Sequence, residues 1–265
     1  MYVKCRIFIN FSNLLGFAPF RQYVVNPSWE AAKGLKMEGL ALGIDVHIME
    51  IPVSYAKSQQ VLDHILQTVT PKVVIHLGIA PGAKGITLEQ TGKNHCYKDR
   101  DVSGLCPVHH CCIEGGPERL DSVIDMRSLS KHLKNMGLDV IYSRDAGRYL
   151  CDFVYYYSLY HGQGRAALIH VPASGSLASP ERVVPQLQTI IHALLRQLDS
   201  SEHATSEYVD STQTETSHTL SLMGEEQYWV QPDGGQRHSL ASQKQKERES
   251  DASGNYTVSL YTNEQ

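Results

Sequence analysis

Four apolar runs, each followed by a stretch with apolar residues at helical spacing, restrict the fold of this chain more than any other feature of its sequence. Val46-His-Ile-Met-Glu-Ile-Pro-Val53 precedes residues 58–69, where Val61, Leu62, Ile65, Leu66 and Val69 recur at helical spacing. Lys72-Val-Val-Ile-His-Leu-Gly78 is a run suited to a strand buried on both faces. The helical pattern after it spans 117–136, with Leu120, Val123, Ile124, Met126 and Leu129 as apolar positions. Leu138-Asp-Val-Ile-Tyr142 leads to a helix over 149–160, and Ala166-Ala-Leu-Ile-His-Val171 to one over 180–198. This alternation predicts an α/β protein with a mostly parallel sheet covered by helices on both faces. In such sheets the active crevice lies outside the carboxyl ends of the strands.

The chain has 265 residues, enough for one sizeable core. After Leu198 it turns to Ser, Thr, Gln, Glu, Asp and Lys without apolar periodicity, so 199–265 reads as a disordered polar tail. A formal net charge of −4 and the lack of a Lys/Arg stripe exclude a general nucleic-acid binder. No apolar stretch approaches the length of about 20 residues that a membrane helix needs. Lys4 and Arg6 precede Ile7-Phe-Ile9 as in a secretory leader, but Asn10, Ser12 and Asn13 interrupt the run and no cleavage site follows. The expectation is a cytosolic protein. Six cysteines in a chain this long do not make a disulfide scaffold. Cys96, Cys106, Cys111 and Cys112 share one segment with His95, His109 and His110, yet lack the separated ligand pairs of a zinc finger. Free thiols in a long polar loop over 91–117, lying above the site, are expected, with no metal and no organic cofactor.

The chemistry concentrates in Ser143-Arg-Asp-Ala-Gly-Arg-Tyr-Leu-Cys-Asp-Phe153. Here an apolar strand breaks at Ala146-Gly147 and a helix begins, which places Cys151 in the first helical turn. Unpaired N–H groups and the positive end of the macrodipole favour a thiolate there. His170 closes another strand only one helix later. A thiol and an imidazole together allow nucleophilic acyl transfer through a thioester, with first-turn N–H groups as oxyanion donors. Asp145 and Asp152 read as cap and helix-dipole residues, and Tyr155, Tyr156 and Tyr157 as packing.

Around these residues the chain resembles pyroglutamyl-peptidase I, a cysteine peptidase family, and specifically its vertebrate "like" branch. The resemblance is carried by Asp145-Ala-Gly-Arg-Tyr-Leu-Cys-Asp-Phe153, Ile86-Thr-Leu-Glu89 and Leu168-Ile-His-Val-Pro172, with support from Val25-Asn-Pro-Ser-Trp29, Gly115-Gly-Pro-Glu-Arg-Leu-Asp-Ser122 and Ser158-Leu-Tyr160. It runs from about Gly16 to about Leu198, and so divides the chain into an atypical N-terminal segment (1–15), a catalytic domain (16–198) and the tail. It implies a three-layer α/β/α sandwich with a mostly parallel twisted central sheet. It also implies a triad of Cys151 as nucleophile, His170 as base and Glu89 as the acid that orients the ring. The implied substrates are peptides with N-terminal pyroglutamate, in a pocket formed by Phe17, Phe20, Tyr149 and Leu150. A small neutral lactam calls for apolar walls without a carboxylate to receive a charge. A monomer is expected.

Three departures from the family's pattern, together with the added tail, motivate a second reading, a catalytically weakened homologue used for binding or regulation. Gln90 stands where the family has Lys or Arg, which would remove a positive charge near the site. Ala18 replaces a glycine in Gly16-Phe-Ala-Pro-Phe20, a strain if that position needs a positive φ. The clean first strand becomes Ile7-Phe-Ile-Asn-Phe-Ser-Asn-Leu-Leu15, whose polar residues would need partners if buried.

Overall fold

The structure, a computed structural model, describes residues 10–19, 24–40, 44–68 and 71–221. Its centre is a six-stranded sheet made of β1 (Asn10–Phe17), β2 (Ile44–Ile51), β3 (Val73–Ala80), β4 (Ile86–Glu89), β7 (Val140–Ser143) and β8 (Ala166–Pro172), in the order β2-β1-β3-β8-β4-β7. All neighbouring pairs are parallel except β4 with β8, which is antiparallel. A separate two-stranded sheet pairs β5 (Thr91–Lys93) with β6 (Arg119–Asp121). The altered first strand does form, from Asn10 onward, and is paired on both sides by β2 and β3. Residues 1–9 lie outside the described residues.

Side chains alternate across the strands, so each strand feeds two cores. On one face Val73, Ile75, Leu77, Ile79, Ala167 and Ile169 pack with helices α1 (Pro27–Glu38), α3 (Met126–Asn135) and α5 (Pro180–Ser221). On the other, Leu15, Val74 and Leu168 pack with α2 (Tyr55–Thr68) and α4 (Leu150–His161). The result is the α/β/α sandwich, mostly parallel at its centre. α1 begins at a full cap: the Asn26 side chain accepts the Ser28 N–H at 3.1 Å and Pro27 occupies the first helical position.

Two elements differ from expectation. The helical pattern over 117–136 becomes a helix only from Met126, because Arg119–Asp121 pairs with β5 and Asp125 then caps the helix by accepting the Ser128 N–H at 2.9 Å. The last helix does not stop at Leu198: α5 continues to Ser221, so residues 199–221 are helical where the sequence suggests that a disordered tail begins. That stretch contains neither Pro nor Gly, and nothing in its backbone chemistry ends a helix. By contact the chain divides into two units after Thr214. The described part of the second, 215–221, is the end of α5, and 222–265 lie outside the described residues.

Leu187, Ile190, Leu194 and Leu198 place one stripe of α5 in the core, each almost fully buried. Leu194→Ala is expected to cost about 2–5 kcal/mol of stability, seen as a lower urea midpoint with an unchanged slope.

Candidate active site

The site is built on the α2/α4 face of the sheet by the antiparallel pair β4–β8. Thr87 stands opposite His170 and Glu89 opposite Leu168, so Glu89 and His170 are diagonal neighbours on one face. Glu89 Oε1 and His170 Nδ1 are 2.9 Å apart, and both residues are buried. The expectation that the chemical groups collect beyond strand carboxyl ends needs correction. His170 lies inside β8, and Glu89 ends a strand that runs the other way; register rather than a shared edge brings them together.

Cys151 enters from α4. The residue before the helix, Tyr149, provides no side-chain cap, so the first-turn N–H groups beside the half-buried thiol remain available as donors. The thiol stands beside the His170 ring. Gly78 of β3, opposite His170, makes room for both: a Cβ there would stand 2.9 Å from Cys151 Sγ and 2.9 Å from His170 Nε2. A glycine inside an apolar strand is a sequence signal of such close approach. Burial alone would push the His170 pKa down, but hydrogen bonds to Cys151 and Glu89 and their charges outweigh it and raise the ring from 6.5 to about 10.

These groups open on a cavity of about 360 Å³. Its walls include Phe17, Val53, Ile79, Tyr149 and Leu150, so three of the four expected pocket residues border it. The fourth, Phe20, lies outside the described residues. Asn26, the cap of α1, also reaches the cavity and holds the Ala18 carbonyl through its amide at 3.1 Å. The cavity is not free of carboxylates as expected, since Asp99 and Asp145 are in its wall. Asp145 is neutralised by Lys93 at 3.1 Å and Arg148 at 3.0 Å.

Two of the three departures lose their force in this geometry. Gln90 faces away from the cavity: its amide donates to the Ser122 and Ile124 carbonyls at 3.0 and 3.1 Å and its oxygen accepts the Met126 N–H at 3.0 Å, in the α3 layer. Strand alternation requires this of a residue next to Glu89. Ala18 is not among the residues with positive φ. The glycine that close approach does require is Gly16, where a Cβ would stand 2.8 Å from Trp29 Cα.

The segment between β5 and β6 runs beside the cavity and supplies Asp99. Cys96, Cys106, Cys111 and Cys112 are free thiols, and among the described residues no three His, Cys, Asp or Glu side chains gather as a metal site requires. The tyrosines of α4 do more than pack. Tyr155 donates its hydroxyl to the Glu89 carbonyl at 2.9 Å and Tyr156 to Pro117 O at 2.6 Å, which tie the end of β4 and the segment before β6 to the helix. Asp152 is wholly buried and serves partners outside its own helix, which its neutral-looking place in the sequence did not reveal. Among the described residues no helix is long and apolar enough to cross a membrane.

A thiol, an imidazole and a buried carboxylate in series beside an apolar cavity are what a cysteine hydrolase needs. The pyroglutamyl peptidase family profile matches residues 13–197. Pyroglutamyl-peptidase 1 of Rattus norvegicus is 42% identical over 189 residues, covering 71% of this chain and 90% of that protein. The pyroglutamyl-peptidase 1-like protein of Homo sapiens is 37% identical over 173 residues, covering 64% and 88%. Among solved structures, a mutant pyrrolidone carboxyl peptidase from Pyrococcus furiosus superposes with a TM-score of 0.65 at 26% identity, covering 71% of this chain and 99% of that one. The chain belongs to the pyroglutamyl peptidase family, whose members are peptidases of the cysteine class.

Two outcomes follow from this geometry. Gly78→Ala is expected to separate thiol and ring and to cut hydrolytic turnover by roughly 100-fold or more while leaving the far-ultraviolet circular dichroism unchanged. The folded protein also keeps a proton on His170 that the unfolded chain releases near pH 6.5. Its stabilising contribution is therefore complete below that pH and is lost as the pH rises toward about 10. Between about pH 7 and about pH 9 the urea midpoint of His170→Gln is expected to fall less than that of the wild type.

Proposed function

We propose that the protein removes the N-terminal pyroglutamyl residue from peptides, with Cys151, His170 and Glu89 as the catalytic triad. The observation that carries this reading is the Glu89 Oε1–His170 Nδ1 hydrogen bond with the Cys151 thiol beside the same ring, at a cavity of about 360 Å³. A protonated ring next to a thiol favours the thiolate, the nucleophilic form. The thiolate attacks the pyroglutamyl carbonyl, and first-turn N–H groups of α4 receive the charge that develops on oxygen. His170 passes its proton to the departing amine, leaving a thioester on Cys151. Water, deprotonated by His170, then releases free pyroglutamate and restores the pair. Glu89 keeps the ring's Nδ1 proton in place and stabilises the ring's charge.

Phe17, Tyr149 and Leu150 would form the lactam pocket. The cavity is at the small end of the usual range for ligand sites, as a single cyclic residue requires. Residues 16–198 would make up the catalytic domain of a monomeric, cytosolic enzyme. The alternative of a weakened binding homologue rested on Gln90, Ala18, the first strand and the added tail. Gln90 points into the α3 layer and Ala18 has no positive φ, so neither of these two supports it.

Purified protein under reducing conditions is expected to release a fluorescent amine from its pyroglutamyl amide. Cys151→Ala should abolish this, and Glu89→Gln should lower kcat by roughly 100-fold or more. Folded wild-type protein without turnover would refute the peptidase reading.

A further inference from the structure

Asp152 follows Cys151 in the chain, has no exposed surface, and joins three separate segments. Oδ1 accepts the Lys93 backbone N–H at 3.3 Å, and Oδ2 accepts the Tyr97 hydroxyl at 3.0 Å. Arg148 Nη1 lies 3.5 Å from Oδ2 and also reaches Asp145 Oδ1 at 3.0 Å. Asp145 in turn holds the Lys93 ammonium at 3.1 Å, which closes a ring of charges Asp152–Arg148–Asp145–Lys93. Asp145 and Arg148 belong to the turn over 145–149, and that turn forms one wall of the cavity and leads directly into Cys151. An acidic residue at the third position of a helix commonly reaches back to cap its own N-terminus. Asp152 is instead engaged by β5, by the segment after it and by the turn.

We propose that Asp152 is a positioning residue for the nucleophile: as a carboxylate it draws the Lys93–Tyr97 segment and Arg148 onto the turn before Cys151, and its protonation slackens that turn. The inference rests on Cys151 being the nucleophile. Burial pushes the Asp152 carboxyl up to about 7, against the Tyr97 hydrogen bond, the Arg148 charge and the Lys93 N–H, all of which pull it down. Its charge therefore changes near neutral pH. The groups facing it are Lys93 of β5, Tyr97 and Cys112 of the β5–β6 segment, Arg148 of the turn, and Tyr155 of its own helix. Tyr97 and Cys112 are held far above their ordinary range, first of all by burial, so neither loses its proton over the same interval.

The test follows two rates against pH, hydrolysis of a pyroglutamyl amide and alkylation of Cys151 by iodoacetamide, the latter resolved by peptide mass spectrometry. Both are expected to show an acid limb centred near 7 in the wild type. Tyr97→Phe and Arg148→Met each remove an influence that favours the carboxylate, and should move the limb upward by roughly 0.5 or more on the pH scale. Asp152→Asn should abolish the limb and lower kcat roughly tenfold, with little change in KM. A limb that stays in place in Tyr97→Phe and Arg148→Met overturns the proposal, whether or not Asp152→Asn folds. Hydrolysis with an unmoved limb removes only the role of Asp152. An alkylation limb that moves as described, without hydrolysis in the wild type, supports that role and removes the peptidase reading.

Discussion

The antiparallel pairing of β4 with β8 is the constraint on which the rest of the site depends. In an otherwise parallel sheet it sets Glu89 diagonally across from His170, on the face that α4 covers. A slip of one residue in that register would turn Glu89 toward α3 and Gln90 toward the ring. The register is held from several sides. Gln90 is bonded to the loop that opens α3, Tyr155 holds the Glu89 carbonyl, and β7 pairs along the other edge of β4. Gly78, on the far side of β8, leaves the space into which thiol and ring converge.

Most buried polar groups near α4 follow one rule, that a charge or dipole removed from water needs a partner; His76 Nδ1 and Glu89 Oε2 are buried without one. Glu89 is set against His170, and Asp152 against Tyr97, Lys93 and Arg148. The hydroxyls of Tyr155 and Tyr156 end on backbone carbonyls and that of Tyr157 on Asp63 at 2.5 Å. His76 shows the same cost without a charge. Burial pulls its pKa down to about 3, and it remains a neutral ring bonded to Ser158 Oγ at 2.9 Å. The helix that carries Cys151 is thus tied by side-chain hydrogen bonds to α2, β3, the end of β4 and the β5–β6 region.

What could be read from the sequence was whatever local chemistry controls. The runs over 72–78 and 166–171 are short and largely apolar, as strands covered on both sides are, and the structure has them as β3 and β8. The thiol's place in the first turn of α4 follows from the break at Ala146-Gly147. Ile86–Glu89 was harder to recognise as a strand, because four residues carry too little periodicity to separate strand from helix. The helical pattern over 117–125 misled for the opposite reason: its apolar residues suit a helix, but a partner distant in sequence claims Arg119–Asp121 for β5.

The sequence by itself determined the α/β class, the place of Cys151 in the first turn of a helix and of His170 in a strand, and the likeness to one peptidase family, since these depend on residue identity and short-range pattern. Tertiary structure alone decided that β4 runs against its neighbour, that Gln90 turns away from the cavity, that Asp99 and Asp145 enter its wall, and that Asp152 joins three segments. Those outcomes depend on register and on contacts between residues far apart in the chain. Hydrophobic periodicity records only which face of an element is buried, and carries no information about the partner that buries it.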